Sequence, residues 1–230
     1  MYKIKIALFS DIHAGDGTAA DNFGVKHSKT VINKIKELMA NGYQIILLGD
    51  IYEAIQFRYH AINKCYPELR EIINQVTVIK GNHDINIGEG LGIQTQEEFI
   101  IDQRILAYHG YQDDKPINKL IVRIALKCWA VIERIIGRKT AADIDEKISP
   151  QDKKYKGDKS EYIQNAFKRG KERGFEIVII GHTHEPGIWE KDGVKVVNTG
   201  TCTNWHLMYA TIEENEQGTL IAKLYDTYAE

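Results

Sequence analysis

VIKGNHDIN, residues 78–86, is the stretch on which the reading of this chain turns. A run of β-formers, Val76 to Ile79, stops at Gly81-Asn82-His83-Asp84. An amide, an imidazole and a carboxylate thus stand together where a buried strand would emerge. Alone, the tetrapeptide also reads as a plain turn, because Gly-Asn turns a chain and His-Asp is acceptable on a surface. The decision comes from the neighbouring runs.

Working outward, the same arrangement recurs. KIKIALFSDIH (3–13) reads as a strand that ends in Asp11-x-His13. YQIILLGD (43–50) is a continuous apolar strand, the pattern of a sheet covered on both faces, and it ends in Gly49-Asp50-x-x-Glu53. EEFIIDQRILAYHG (97–110) reads as two short strands turning at Asp102-Gln103 and leaving at His109-Gly110. FEIVIIGHTH (175–184) is another buried strand, and its exit is Gly181-His182-Thr183-His184. Two hairpins follow, 188–198 turning at Asp192-Gly193 and 206–226 turning near Gln217-Gly218. Helices are expected over 27–42, where Val31, Ile35 and Leu38 fall at helical spacing, and over roughly 52–73 with a break near Pro67. Strand–helix alternation followed by strands predicts an α/β protein with a mixed sheet or two stacked sheets. Residues 111–174, with helices expected near 117–137 and 158–173, read as an elaboration on one domain spanning 1–230.

The totals exclude several classes. At 230 residues the chain can bury a sizeable core without staples. A net charge of −2 gives no global pull toward nucleic acid or membrane. Cys65, Cys128 and Cys202 are odd in number and far apart, which argues against a disulfide framework and fits a reducing cytoplasm. No secretory leader is expected from the opening residues. The apolar run 120–136 carries Arg123, Lys127, Glu133 and Arg134, too many charges for a spanning helix.

Open α/β sheets bind ligands beyond the carboxyl ends of their strands, and the polar clusters all sit at such ends. If the exits converge, they bring together two aspartates, an asparagine and four or five histidines. Carboxylates are hard oxygen donors and imidazole suits first-row metals. No cysteine takes part, which argues against a structural zinc or iron–sulfur site. Seven ligands are too many for one catalytic ion, and they suit two ions bridged by one carboxylate. Asp50 is the expected bridge, because a short Gly-Asp turn projects its side chain past the strand.

In this order the motifs resemble the calcineurin-like metallophosphoesterase superfamily, over residues 4–204. The resemblance implies a four-layer α/β/β/α sandwich of two mixed sheets with a helical insert. It implies one metal held by Asp11, His13, Asp50 and His184, and a second held by Asp50, Asn82, His109 and His182. His83 would then assist the leaving oxygen, with Asp84 orienting His83. The implied reaction is hydrolysis of a phosphate ester or pyrophosphate by in-line attack of a metal-bridging hydroxide. Two divalent ions are expected, Mn²⁺ by resemblance, while Fe²⁺, Zn²⁺, Co²⁺ or Ni²⁺ suit the same donors.

The substrate implied by the resemblance is a phosphorylated small molecule, a nucleotide sugar or a lipid-linked one. Gly-Asp-Ile-Tyr-Glu and the insert after His-Gly resemble the branch of UDP-2,3-diacylglucosamine diphosphatases. That branch carries Arg where His83 stands and Asp where Tyr111 stands, so a general phosphomonoesterase or phosphodiesterase fits as well. Residues 115–159 hold 12 basic and 6 acidic side chains. Arg123, Lys127, Arg134 and Arg138 would share one helix face, suited to peripheral contact with anionic lipid, or to a solvated lid. A nuclease would want a broad basic groove, and the slightly acidic whole disfavours nucleic acid. A non-catalytic binding protein on the same fold is the least favoured reading, because the ligand set, His83 and Asp84 are all present.

Overall fold

A computed structural model describes residues 3–114 and 157–228. The expected helix near 117–137, its basic face and Cys128 lie outside the described residues.

Among the described residues, ten strands form two five-stranded sheets. Sheet one has the order β10 (Leu220–Tyr228), β9 (His206–Glu214), β1 (Lys5–Phe9), β2 (Gln44–Leu48), β3 (Thr77–Ile79). Its β1, β2 and β3 run parallel, with Phe9 opposite Leu47 and Leu47 opposite Val78, and the β9–β10 hairpin is added antiparallel. Sheet two has the order β4 (Glu98–Ile101), β5 (Ile105–Tyr108), β6 (Ile177–Ile180), β8 (Val194–Asn198), β7 (Gly187–Lys191). Here β5, β6 and β8 are parallel, and β4 and β7 close the edges antiparallel. Both sheets are therefore mixed, with parallel strands ending together.

The two-residue period of a strand sorts the apolar side chains into layers. From β1, Ile6 and Leu8 face the second sheet and meet Ile105, Ala107, Ile177, Ile179 and Val197. Ala7 and Phe9 face the other way, toward Val31 and Ile35 of α1 (Val25–Ala40), Ile62 of α2 (Tyr59–Cys65) and Leu69 and Ile72 of α3 (Pro67–Ile73). On the far side, Leu106, Tyr108, Val178 and Ile180 pack against Ile163, Ala166 and Phe167 of the last described helix. Helices thus cover both outer faces, which gives four layers. Each central strand is buried on both sides, which is why it reads as an unbroken apolar run.

The helix expected over roughly 52–73 begins late. Residues 51–58 are irregular, and α2 and α3 meet at Pro67, which opens α3 at its first position. The delay has a cause. The Ala14 and Glu53 backbones pair, His13 N–H bonds Asp50 O, and the chain after Asp50 is thereby tied to the chain after Asp11. Between β3 and β4 lies α4 (Ile87–Leu91), a single turn too short to leave a periodic signal. The chain turns at Asp102-Gln103 as expected; both residues are left-handed, with φ of 50° and 54°, and Arg104 completes the three residues between β4 and β5. The last described helix is α5 (Glu161–Arg173), close to the expected 158–173.

Candidate metal centre

The five exits converge. Asp11 and His13 follow β1, Asp50 follows β2, Asn82 and His83 follow β3, His109 follows β5, and His182 and His184 follow β6. Five of these residues stand in the left-handed backbone region: Asp11 (φ 52°), His13 (47°), Asp50 (51°), His182 (69°) and His184 (56°). Such conformations are uncommon outside glycine and gather at functional sites, where the fold holds strain in place. Glycine makes the crowding achievable. Gly49 has φ 86°, and a Cβ on Gly81 would overlap the Asp50 carboxylate and amide.

Potential ligand atoms fall into overlapping groups. Asp11, His13 and His184 form one, and Asp50, His109 and His182 form another. A third, His13, Asp50 and His83, shares Asp50 with the second. His184 Nε2 lies 3.1 Å from Asp11 Oδ1, and His109 Nε2 lies 3.1 Å from Asp50 Oδ2. Yet Asp11 Oδ1 and His109 Nε2 have no hydrogen-bond partner, and neither do His13 Nε2 or Asn82 Oδ1. Buried polar atoms are normally satisfied, so four unsatisfied ones at a single site call for a ligand. These donors are oxygen and imidazole nitrogen, the set that suits divalent first-row cations. The residues therefore fit a metal.

The outer nitrogen of three rings is engaged, which fixes what each ring presents inward. His13 Nδ1 bonds Glu53 Oε2 at 3.0 Å, and His109 Nδ1 bonds Leu48 O at 2.7 Å. Carboxylates and carbonyls accept, so Nδ1 carries the proton in both rings and Nε2 faces the site. His182 is reversed. Its Nε2 bonds Asp114 Oδ1 at 3.1 Å, which leaves Nδ1 for the site.

His83 departs from the expectation in one respect. Its Nδ1 lies 2.9 and 2.8 Å from the two oxygens of Glu53, so Glu53 and not Asp84 orients the ring among the described residues. Asp84 is turned the other way. Its oxygens accept from the amides of Ile51 (2.7 Å), Gly81 (2.9 Å), Tyr52 (3.2 Å) and Asp50 (3.3 Å), pinning the two turns together. The resemblance implied a His83–Asp84 contact, but the Asp84 carboxylate turns to the backbone amides while the His83 ring turns to Glu53. Glu53 was visible as the last residue of Gly-Asp-x-x-Glu, although nothing local indicated that it would hold two imidazoles.

Charge follows the same geometry. Burial opposes ionisation of Glu53, but His83 and His13 outweigh it and bring its carboxyl down to about 2. Burial also works against His83, and Glu53 and Asp50 overcome it, pushing the ring up to about 9. His109 is carried to about 9 against burial by Asp50 and Asp11. Asp11 is buried too, but His184 and His109 hold it well below the usual carboxylate range. The buried carboxylates thus draw positive charge to the site, and the imidazoles beside them hold protons more tightly than usual.

The family described as calcineurin-like phosphoesterase matches residues 4–186. The chain belongs to that family. This calcineurin-like phosphoesterase is also similar to solved structures at low identity. One is YfcE, a phosphoesterase from E. coli, 14% identical, with 96% of this chain and 98% of that chain covered and a TM-score of 0.47. Another is an archaeal phosphodiesterase, 17% identical, with 96% and 100% covered and a TM-score of 0.47. A third is Vacuolar Protein Sorting 29 from Cryptosporidium parvum, 14% identical, with 100% of both chains covered and a TM-score of 0.45. At this distance they assign no role to any residue of the present chain. A comparison with curated proteins finds no match. No helix among the described residues is long and apolar enough to cross a membrane.

Proposed function

We propose that this calcineurin-like phosphoesterase hydrolyses a phosphate ester or pyrophosphate at a centre of two divalent cations, with His83 assisting the leaving group. The observation that supports it most is the inward-facing set of unsatisfied donors around Asp50. Asp11, His13, Asp50 and His184 would hold one cation, and Asp50, Asn82, His109 and His182 the other. When bound, such cations polarise phosphoryl oxygens and make water a nucleophile near neutral pH.

The protein's own groups supply the rest. Glu53 fixes the His83 tautomer with the proton on Nδ1, so Nε2 is the atom that exchanges a proton with substrate. The same carboxylate holds His13, so the leaving-group histidine and a ligand of the first cation share one anchor. Asp50 Oδ1 accepts from the His83 amide at 2.8 Å, which ties the β3 exit to the expected bridge. Orientation of this kind sets reacting atoms in place before chemistry begins. Mn²⁺ is the expected ion and the cytoplasm the expected compartment. A lipid-linked UDP-sugar substrate and contact with a membrane surface both depend on the insert, of which residues 115–156 lie outside the described residues. A nuclease activity would need a broad basic groove.

The test is to strip the protein of metal, restore Mn²⁺ and compare a phosphomonoester, a phosphodiester and a UDP-linked pyrophosphate. His83→Ala is expected to cut turnover by roughly 10²–10⁴-fold, the span of general acid–base catalysis, and to keep its metal content. Loss of metal with His83 would make it a ligand, as its place beside His13 and Asp50 allows. Absence of bound metal in the parent protein would overturn the reading.

A further inference from the structure

The outer side of His182 is built by two residues that no motif contains. Asp114 Oδ1 accepts from His182 Nε2 at 3.1 Å and from the Tyr162 hydroxyl at 2.7 Å. The Tyr162 ring also meets the His182 ring edge-on, with centroids 5.3 Å apart and planes at 72°. His182 is thus gripped by a carboxylate and an aromatic ring that are themselves bonded to each other. Tyr162 stands in the first turn of α5, and that helix is seated on sheet two through Ile163, Ala166 and Phe167. The neighbouring Asp113 strengthens the seat. It accepts from Arg169 of α5 at 2.6 Å and from the Tyr108 hydroxyl at 3.1 Å.

We infer that Asp114, braced by Tyr162, is the positioning residue of His182 and sets the affinity of the second cation site. The inference rests on the two-cation reading above. Its chemistry is direct. A carboxylate on Nε2 holds the proton there, so Nδ1 keeps its lone pair turned toward Asp50 and His109. It also adds negative charge behind the ring, which strengthens the ring as a donor. The brace matters because His182 sits on a left-handed residue in a loop. Without an outer partner, rotation of the ring about its side-chain bonds would take Nδ1 out of line. Asp114 and Tyr162 are 48 residues apart, so the brace is a contact between distant parts of the chain.

The test is a Co²⁺ titration of the full chain after chelation, followed by visible absorption and by metal bound per chain. The parent protein is expected to fill two sites. Asp114→Ala should weaken the second step about 10–100-fold, the usual cost of removing such a partner, and leave the first step in place. Asp114→Asn should fall between, because a neutral amide oxygen still accepts but lacks the charge assistance of a carboxylate. Tyr162→Phe should weaken the same step less than Asp114→Ala does. Added to His182→Ala, Asp114→Ala should cost nothing more, since it acts only through that ring. The Asn and Phe variants keep the packing volume, so their ranking carries the test if the alanine variant folds poorly. Two unchanged steps in the Asn and Phe variants, or a loss that adds in full to that of His182→Ala, would overturn the inference. A parent protein that binds fewer than two ions would overturn the two-cation reading and this inference with it.

Discussion

Sheet one delivers Asp11, His13, Asp50, Asn82 and His83 on three parallel strand ends, whereas sheet two delivers His109, His182 and His184 on two. The halves are held differently. On sheet one, Asp84 gathers four backbone amides, Glu53 holds two imidazoles, and the Asp11 amide bonds Gly49 O. On sheet two, His109 is buried and anchored to sheet one through Leu48 O, but the His184 side chain is 38% exposed. His182 depends on Asp114 and Tyr162, which lie outside the sheets. A cross-brace links the halves, because Asp11 Oδ2 accepts from the His182 amide at 3.0 Å. The difference teaches that sheet one holds its candidate ligands in a fixed floor, while sheet two fixes His109 as firmly but carries His182 and His184 on a loop beside it.

The comparison can be broken most severely at Asp50, the residue that belongs to both halves. Asp50→Ala is expected to remove or disorder both ions and to bring turnover to background, as read by metal analysis beside an activity assay. His184→Ala should instead release one ion and keep the other; release of both would mean that the halves do not bind separately. Glu53→Gln tests the floor. A glutamine has one acceptor oxygen where the carboxylate serves two rings, so turnover should fall about 10–100-fold. Binding at the sheet-two position should be unchanged in the same metal titration. Asp84→Asn should act on stability and leave the ligands in place. It turns an amide NH₂ toward backbone N–H groups that need an acceptor, at a cost of about 1–3 kcal/mol in urea unfolding. The smallest effect belongs to the exposed Lys34–Glu37 pair on α1, where Lys34→Ala should change stability by less than about 1 kcal/mol.

Much of the fold and of the candidate site was legible because the candidate ligands follow their strands directly. An apolar run that ends in Asp-x-His or Gly-His-Thr-His shows both the buried strand and its exit. The layering was legible too, since strands apolar on both faces need cover on both. What could not be read is contact between distant segments. Asp114 meets His182 across 68 residues, and nothing near Asp114 marks it out. Asp84 misled for the opposite reason, as its neighbour in sequence is not its partner in space. Glu53 lay in a visible motif, but its double bond to His13 and His83 depends on the β1, β2 and β3 exits lying side by side.

The five left-handed candidate ligand positions carry a consequence for how such a site can change over generations. A backbone held at φ near +50° to +70° rejects β-branched and bulky side chains but tolerates Asp, Asn and His. Those three are also donors for divalent cations. Exchanges among them can alter the hardness and charge of a ligand without rebuilding the loop that carries it. The loops thus act as sockets that accept a short alphabet of interchangeable donors, through which metal preference can drift by single substitutions while the scaffold stays as it is.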